Sequence, residues 1–292
     1  MQMLISIRLL SPRRSLLAAF TLAGVLSIAA DVALQAQTPR RLYGVLDAEY
    51  FGNIAFSVDL GGSHEVAYYA WSRDLTEVEG MAIDGESELY LFSETGGVKK
   101  VDLGQPARPP VQVATGRYDL TGATSSPSGA MELYDARGRQ FVTFDPRTDR
   151  YSAEATPARA PANGFDGLAR TATGLYGLGS AGRGMGLFSC TTAGCARTCA
   201  AASLPPDLQS IETYAGSTLV FAWTSITPAN QIVLHVDTMD PATCARTRLL
   251  NEQLDRDALV RLLRRQVNLD RVLGQARDAG RTIEIEALAV QR

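Results

Sequence analysis

The chain has 292 residues, of which 20% are charged, and a formal net charge of −3 at pH 7. That length supports one large domain with a substantial core. The mild acidity, with Lys99 and Lys100 as the only lysines and no basic cluster, argues against nucleic acid or an anionic membrane surface as a partner.

The N-terminus reads as an export signal. Arg8, Arg13 and Arg14 precede an apolar run from Ser15 to Ala30, and Leu34-Gln35-Ala36 offers a small-residue cleavage site before Gln37. The expected division is a signal peptide over 1–36 and a mature domain over 37–292, secreted or periplasmic, with no membrane span after cleavage. Arg13-Arg14 leaves the general and twin-arginine export routes both open. Cleavage would leave 25 basic and 30 acidic residues.

Two series then recur in step. Leu42-Tyr43, Leu89-Tyr90, Leu133-Tyr134, Leu175-Tyr176 and Leu219-Val220 lie 47, 44, 42 and 44 residues apart. Asp59, Asp102, Asp145, Cys190 and Asp237, each near the close of a short apolar run, lie 43, 43, 45 and 47 apart. Each unit opens on a polar residue and a small-residue strand, at Glu79, Thr121, Asp166, Glu212 and Glu286. A Gly/Ser/Asp-rich turn, the Leu-Tyr strand, a third apolar strand and a more polar fourth follow. Four-stranded units at this period are propeller blades. The expected fold is all-β: a five-bladed β-propeller. Residues 283–290 supply only a first strand and 41–47 begin with a second, so the two ends together complete one blade and close the ring.

One interval is too long. Glu212 to Glu286 spans 74 residues, and the surplus, Asn251–Arg281, has helical periodicity in Leu254, Ala258, Leu259, Leu262, Leu269, Val272, Leu273 and Ala276. The spacing predicts a helical insertion in or after the fourth blade (251–281). Asn251 and Asp255 are candidate caps for a first helix, Asn268 for a second, and Gly280 suits the exit. The insertion is either packing against the propeller or a lid or partner-docking face.

Four cysteines in an exported chain are expected to pair. Cys190 and Cys195 flank a four-residue turn and are placed to face each other across a hairpin. That would leave Cys199 and Cys244 as a second bridge between outer strands of neighbouring blades, although three connectivities are open.

The opening carboxylates Glu79, Asp166, Glu212 and Glu286 are expected near one end of the central channel. Converging carboxylates repel unless a cation or a proton intervenes, and an oxygen-lined ring suits Ca²⁺ or Mg²⁺. The competing reading makes each a strand-start residue bonded to neighbouring backbone. His64 sits in a Gly-rich loop and His235 inside a strand, where packing is the expected role. No Gly-x-Ser-x-Gly elbow accompanies them. Gly182–Gly186 lacks the following helix a phosphate loop needs and reads as a turn or bulge. Trp71 and Trp223 are expected in the core.

Glu79-Gly80-Met81-Ala82-Ile83-Asp84 with Leu89-Tyr90, and Asn163-Gly164-Phe165-Asp166-Gly167-Leu168-Ala169 with Gly174-Leu175-Tyr176, resemble the repeats of the NHL and SMP-30/gluconolactonase propeller group. That resemblance implies a divalent metal held by Glu79, Asn163 and Asp166 and used in ester hydrolysis, although the group's enzymes have six blades. The leading expectation is a non-enzymatic, monomeric exported propeller that binds a protein or small-molecule ligand at its channel mouth. The alternatives are a metal-dependent, lactonase-like hydrolase and a structural cell-envelope protein.

Overall fold

A computed structural model describes residues 41–47, 53–71, 77–85, 87–157, 160–161, 163–180, 185–205, 207–263 and 268–291. The expected signal segment, 1–36, lies outside the described residues. Among the described residues the strands form five four-stranded antiparallel sheets. In chain order, β1 (Arg41–Asp47), β2 (Ile54–Asp59) and β3 (Val66–Tyr68) belong to the closing blade. The first blade is β4 (Val78–Asp84), β5 (Glu88–Ser93), β6 (Val98–Asp102) and β7 (Val111–Ala114). The second is β8 (Leu120–Ser125), β9 (Met131–Asp135), β10 (Gln140–Asp145) and β11 (Arg150–Pro157). The third is β12 (Gly167–Thr171), β13 (Gly174–Ser180), β14 (Met185–Thr191) and β15 (Gly194–Cys199). The fourth is β16 (Glu212–Ala215), β17 (Thr218–Ile226), β18 (Ile232–Met239) and β19 (Arg246–Gln253). Finally β20 (Glu284–Gln291) pairs antiparallel with β1, Val290 opposite Leu42, and completes the closing blade as expected.

The Leu-Tyr dipeptides are the second strands of the blades. Leu42, Leu133 and Leu219 are fully buried, as are Tyr90 and Tyr134, because a propeller strand packs both faces against neighbouring blades. The aspartates explain the second series. Asp59, Asp102 and Asp145 each accept the backbone N–H two residues on, from Gly61 (2.9 Å), Gly104 (2.8 Å) and Arg147 (2.9 Å), which turns the chain into the fourth strand. The fourth blade departs from this rule. Asp237 is buried within β18, and Asp240 makes the turn instead by accepting from Ala242 N–H at 2.9 Å.

Inner strands β4, β8, β12, β16 and β20 pack around the axis as a closed ring. Small residues permit the approach: a Cβ added at Gly80 would lie 2.9 Å from the Ala123 Cβ, and one at Gly167 would lie 2.9 Å from the Ser210 Cα. Hydroxyls bridge the seams. Ser125 Oγ donates to the Ile83 carbonyl (2.7 Å), Thr213 Oγ1 to that of Arg170 (2.7 Å) and Ser210 Oγ to that of Ile285 (2.9 Å). Thr124 Oγ1 accepts from Arg170 N–H (3.0 Å). Each bond satisfies an inner-edge backbone group that its own sheet leaves unpaired.

The insertion starts later than the sequence suggests. Asn251, Glu252 and Gln253 extend β19 by pairing with His235, Leu234 and Val233, so Asn251 caps nothing. Helix α1 (Arg256–Leu262) is capped by Asp255, whose carboxylate accepts from Ala258 N–H, and α2 (Leu269–Asp278) by Asn268, which accepts from Arg271 N–H. Gly280 takes the positive φ of the exit, +70°. Leu259, Leu269, Val272 and Leu273 pack into the core shared by the fourth and closing blades, and Asp255 N–H donates to Tyr68 Oη (3.0 Å). The helices therefore pack into the hydrophobic core between these two blades.

Cys190 pairs with Cys195 across the β14–β15 hairpin, and Cys199 with Cys244. Cys244 lies in the turn before β19 rather than on an outer strand, so the second bridge ties the third blade to a loop of the fourth. The two bridges close very different lengths of chain, 5 and 45 residues of separation. Loop-closure entropy then assigns about 2 kcal/mol to Cys190–Cys195 and about 4 kcal/mol to Cys199–Cys244. Urea unfolding of the Cys190→Ser/Cys195→Ser and Cys199→Ser/Cys244→Ser proteins is expected to show the larger loss for the second.

Candidate functional site

Because the inner strands run parallel around the ring, their starts gather at one end of the axis. A cavity of about 10 Å³, the room a single water needs, is lined there by Glu79, Gly122, Asp166, Ser210 and Glu286 among others.

The opening positions divide. Glu79, Asp166 and Glu286 line this cavity. Thr121 is turned aside, its hydroxyl donating to the Phe165 carbonyl at 2.5 Å. Glu212 is not part of the mouth. Its buried carboxylate accepts from Thr124 Oγ1 (3.0 Å) and Thr213 N–H (2.6 Å), farther along the axis. Ser210 stands against Gly167, as Gly167 stands against Gly122, so Gln209 takes the opening place expected for Glu212 and the fourth blade is offset by three residues. Asn163 is exposed, in the turn before Gly164. Among the described residues no three His, Cys, Asp or Glu side chains gather closely enough to hold a metal ion.

Two mouth residues escape the repeat pattern. Glu284 comes close enough to Asp166 to act on its charge, and Gln209 Nε2 donates to Glu284 Oε2 at 3.4 Å. The alternation Ile283-Glu284-Ile285-Glu286 carried a readable signal that both glutamates share a face. Burial, and secondarily the Glu284 charge, push the Asp166 carboxyl up to about 6.

A second polar cluster covers one face of the fourth blade, on β17, β18 and β19. The His235 ring stacks on Trp223, with centroids 4.0 Å apart. Its Nε2 lies 2.7 Å from Ser225 Oγ and its Nδ1 2.5 Å from Asn251 Oδ1. Asp237 beside it accepts from Arg248 Nε, from Arg246 Nη2 (2.7 Å) and from Trp223 Nε1 (3.2 Å). Burial alone would raise the Asp237 carboxyl, but those three donors hold it below the usual range. His235 thus packs in its blade, with both ring nitrogens also placed against polar side chains, while Trp223 is half-buried rather than in the core and Trp71 is in the core. His64 lies in its loop, 3.5 Å from Glu252. Of the Gly182–Gly186 segment, residues 182–184 lie outside the described residues.

No protein-family model matches the chain, and no curated protein matches it. Solved structures of β-propeller proteins do. A nidogen/laminin complex matches over 87% of this chain and 81% of that one, at 12% identity and a TM-score of 0.48. A putative TolB from Agrobacterium tumefaciens matches over 72% and 77%, at 13% identity and 0.41. A catalytically inactive virginiamycin B lyase from Staphylococcus aureus, with quinupristin, matches over 76% and 96%, at 10% identity and 0.39.

Asp166 yields a signed prediction. Its folded pKa, about 6, lies above the ordinary carboxyl value of 3.8, so between those pH values the folded state holds the extra proton. Its contribution to stability is therefore complete at low pH and is lost as pH rises through 6. Asp166→Asn is expected to raise stability at pH 7 by on the order of 1–2 kcal/mol. That gain should shrink towards zero at pH 4, as read from melting temperatures at the two pH values.

Proposed function

We propose that this chain is an exported β-propeller that binds a cationic partner, a basic protein segment or an amine-bearing ligand, against the strand-start mouth of its ring. The observation that carries this reading is the convergence of Glu79, Asp166, Glu284 and Glu286 about a pocket with room for only one water. A site too small to admit a substrate but acidic at its rim suits surface docking better than chemistry inside a pore. Two disulfides support passage through an oxidising compartment. No helix among the described residues is long and apolar enough to cross a membrane.

The antiparallel order of the blades also puts the β17–β18 turn, the residues leading into β16 and both ends of the insertion at this same end. Arg277 Nη1 anchors α2 to that turn through the Pro228 carbonyl (2.9 Å) and Asn230 Oδ1 (2.8 Å). The insertion thereby holds one wall of the mouth in place.

Calorimetric titration with a decalysine peptide at low salt is expected to saturate with the unaltered protein. Replacing both Glu79 and Glu284 by Gln should weaken binding about tenfold, since each exposed ion pair is worth roughly 0.2–1 kcal/mol. Unchanged affinity in that variant, or no binding by the unaltered protein, would sink the reading. A melting temperature that rises with Ca²⁺ and falls back with a chelator would instead favour the metal-dependent hydrolase.

A further inference from the structure

The cluster on the fourth blade fixes its own protonation pattern. Arg248 Nη1 hydrogen-bonds to the side chain of Asn251, and a guanidinium only donates, so the Asn251 atom it meets is Oδ1. That same oxygen lies 2.5 Å from His235 Nδ1, too close for two facing lone pairs, so Nδ1 carries the ring proton. The 3.0 Å approach of Arg248 Nη1 to Nδ1 is the third side of a triangle in which both donors converge on one oxygen. Neutral imidazole then has its lone pair on Nε2. Ser225 Oγ, 2.7 Å away, has to donate its hydroxyl proton there. A serine donating to a neutral imidazole whose far nitrogen is held by a third side chain is the arrangement of an activated nucleophile.

We propose that Ser225 is an acyl-accepting nucleophile, with His235 as its general base and Asn251 as the positioning residue, acting on activated esters. As Ser225 Oγ bonds to the acyl carbon, its proton passes to His235 Nε2. The bond from the acyl carbon to the leaving oxygen breaks, and that oxygen takes the proton from Nε2 and departs as the alcohol. Water, deprotonated by the same nitrogen, then attacks the acyl carbon; the bond to Ser225 Oγ breaks, Oγ takes the proton back from Nε2, and the carboxylic acid leaves.

Three further observations support this assignment. Ser225 and His235 are partly open to solvent and Asn251 is exposed, so an ester can reach the hydroxyl. The strand directions place Ser225 and Asn251 towards the mouth end of the blade. Burial and then the Arg248 charge lower the His235 pKa, against the Asn251 hydrogen bond and the Asp237 carboxylate, so the ring is a free base at neutral pH. Arg246 is the other charged neighbour, spent on Asp237 and stacked over Phe221. Esters with good leaving groups need less stabilisation of the developing oxyanion than amides do, which makes them the substrate class.

The test uses the full chain and a fluorophosphonate probe, with the modified residue found by peptide mass spectrometry. Ser225 Oγ displaces fluoride from phosphorus, so labelling of the folded protein is expected at Ser225 and should disappear in urea. The labelling rate should fall as pH drops through a value below 6.5. His235→Gln should slow it by about 100-fold. Asn251→Asp places a carboxylate against Nδ1–H and should move the pH inflection upward, a change that a merely structural residue would not produce. A folded protein that leaves Ser225 unlabelled overturns the proposal, as does a label spread over serines at rates equal to those in urea. An inflection unmoved by Asn251→Asp removes the positioning role. None of these outcomes bears on decalysine binding, so the two readings stand or fall separately.

Discussion

The close approach of five inner strands around one axis is the constraint on which the rest depends. Those strands use one edge for their own sheet and turn the other towards a neighbouring blade, so every unpaired backbone group there needs a partner. Glycines and alanines let the strands come near, and the hydroxyls of Thr124, Ser125, Ser210 and Thr213 reach the carbonyls and N–H groups that remain. Thr224 does the same for Ile283, accepting its N–H at 3.0 Å and donating to its carbonyl at 2.6 Å. The seams are thus polar near the axis and apolar farther out, where Leu-Tyr strands interleave.

The first two blades keep the repeat's economy, with a short third strand ended by an aspartate that turns the chain. The third and fourth blades replace that device, each with a different cross-link. In the third, Cys190 bonds covalently to the residue opposite it. In the fourth, Asp237 withdraws into the sheet and gathers two arginines and a tryptophan, while Asp240 assumes the turn. The freed face carries Ser225, His235 and Asn251, and the strand that bears Asn251 runs on into the helical insertion. Individual chemistry has accumulated where the repeat was released from its own rule.

The helices α1 and α2 belong to the same region. Their apolar faces extend the core between the fourth and closing blades, the seam at which the chain's two ends must be held. The cross-blade disulfide reinforces the opposite side of the fourth blade, tying its β18–β19 turn to β15. The blade with the most divergent surface is thus the one most heavily braced against its neighbours.

Features that are local or periodic were legible in the amino-acid sequence: the five blades, the closure of β20 on β1, the caps Asp255 and Asn268, and the cysteines facing each other across one hairpin. Each is written in residues a few positions apart or in a spacing that repeats. The identity of the residues facing the axis was not. Gln209 takes the opening place expected for Glu212, a shift of three that is set by the pairing of β16 with β17 and that the spacing of the blades does not register. Gln209 and Glu284 join the mouth, and Ser225, His235 and Asn251 join one another, through cross-strand register and the approach of separate blades. Periodicity determined the scaffold; the side chains that meet on it were decided only when the ring closed, because register and blade contact are properties of the packed chain.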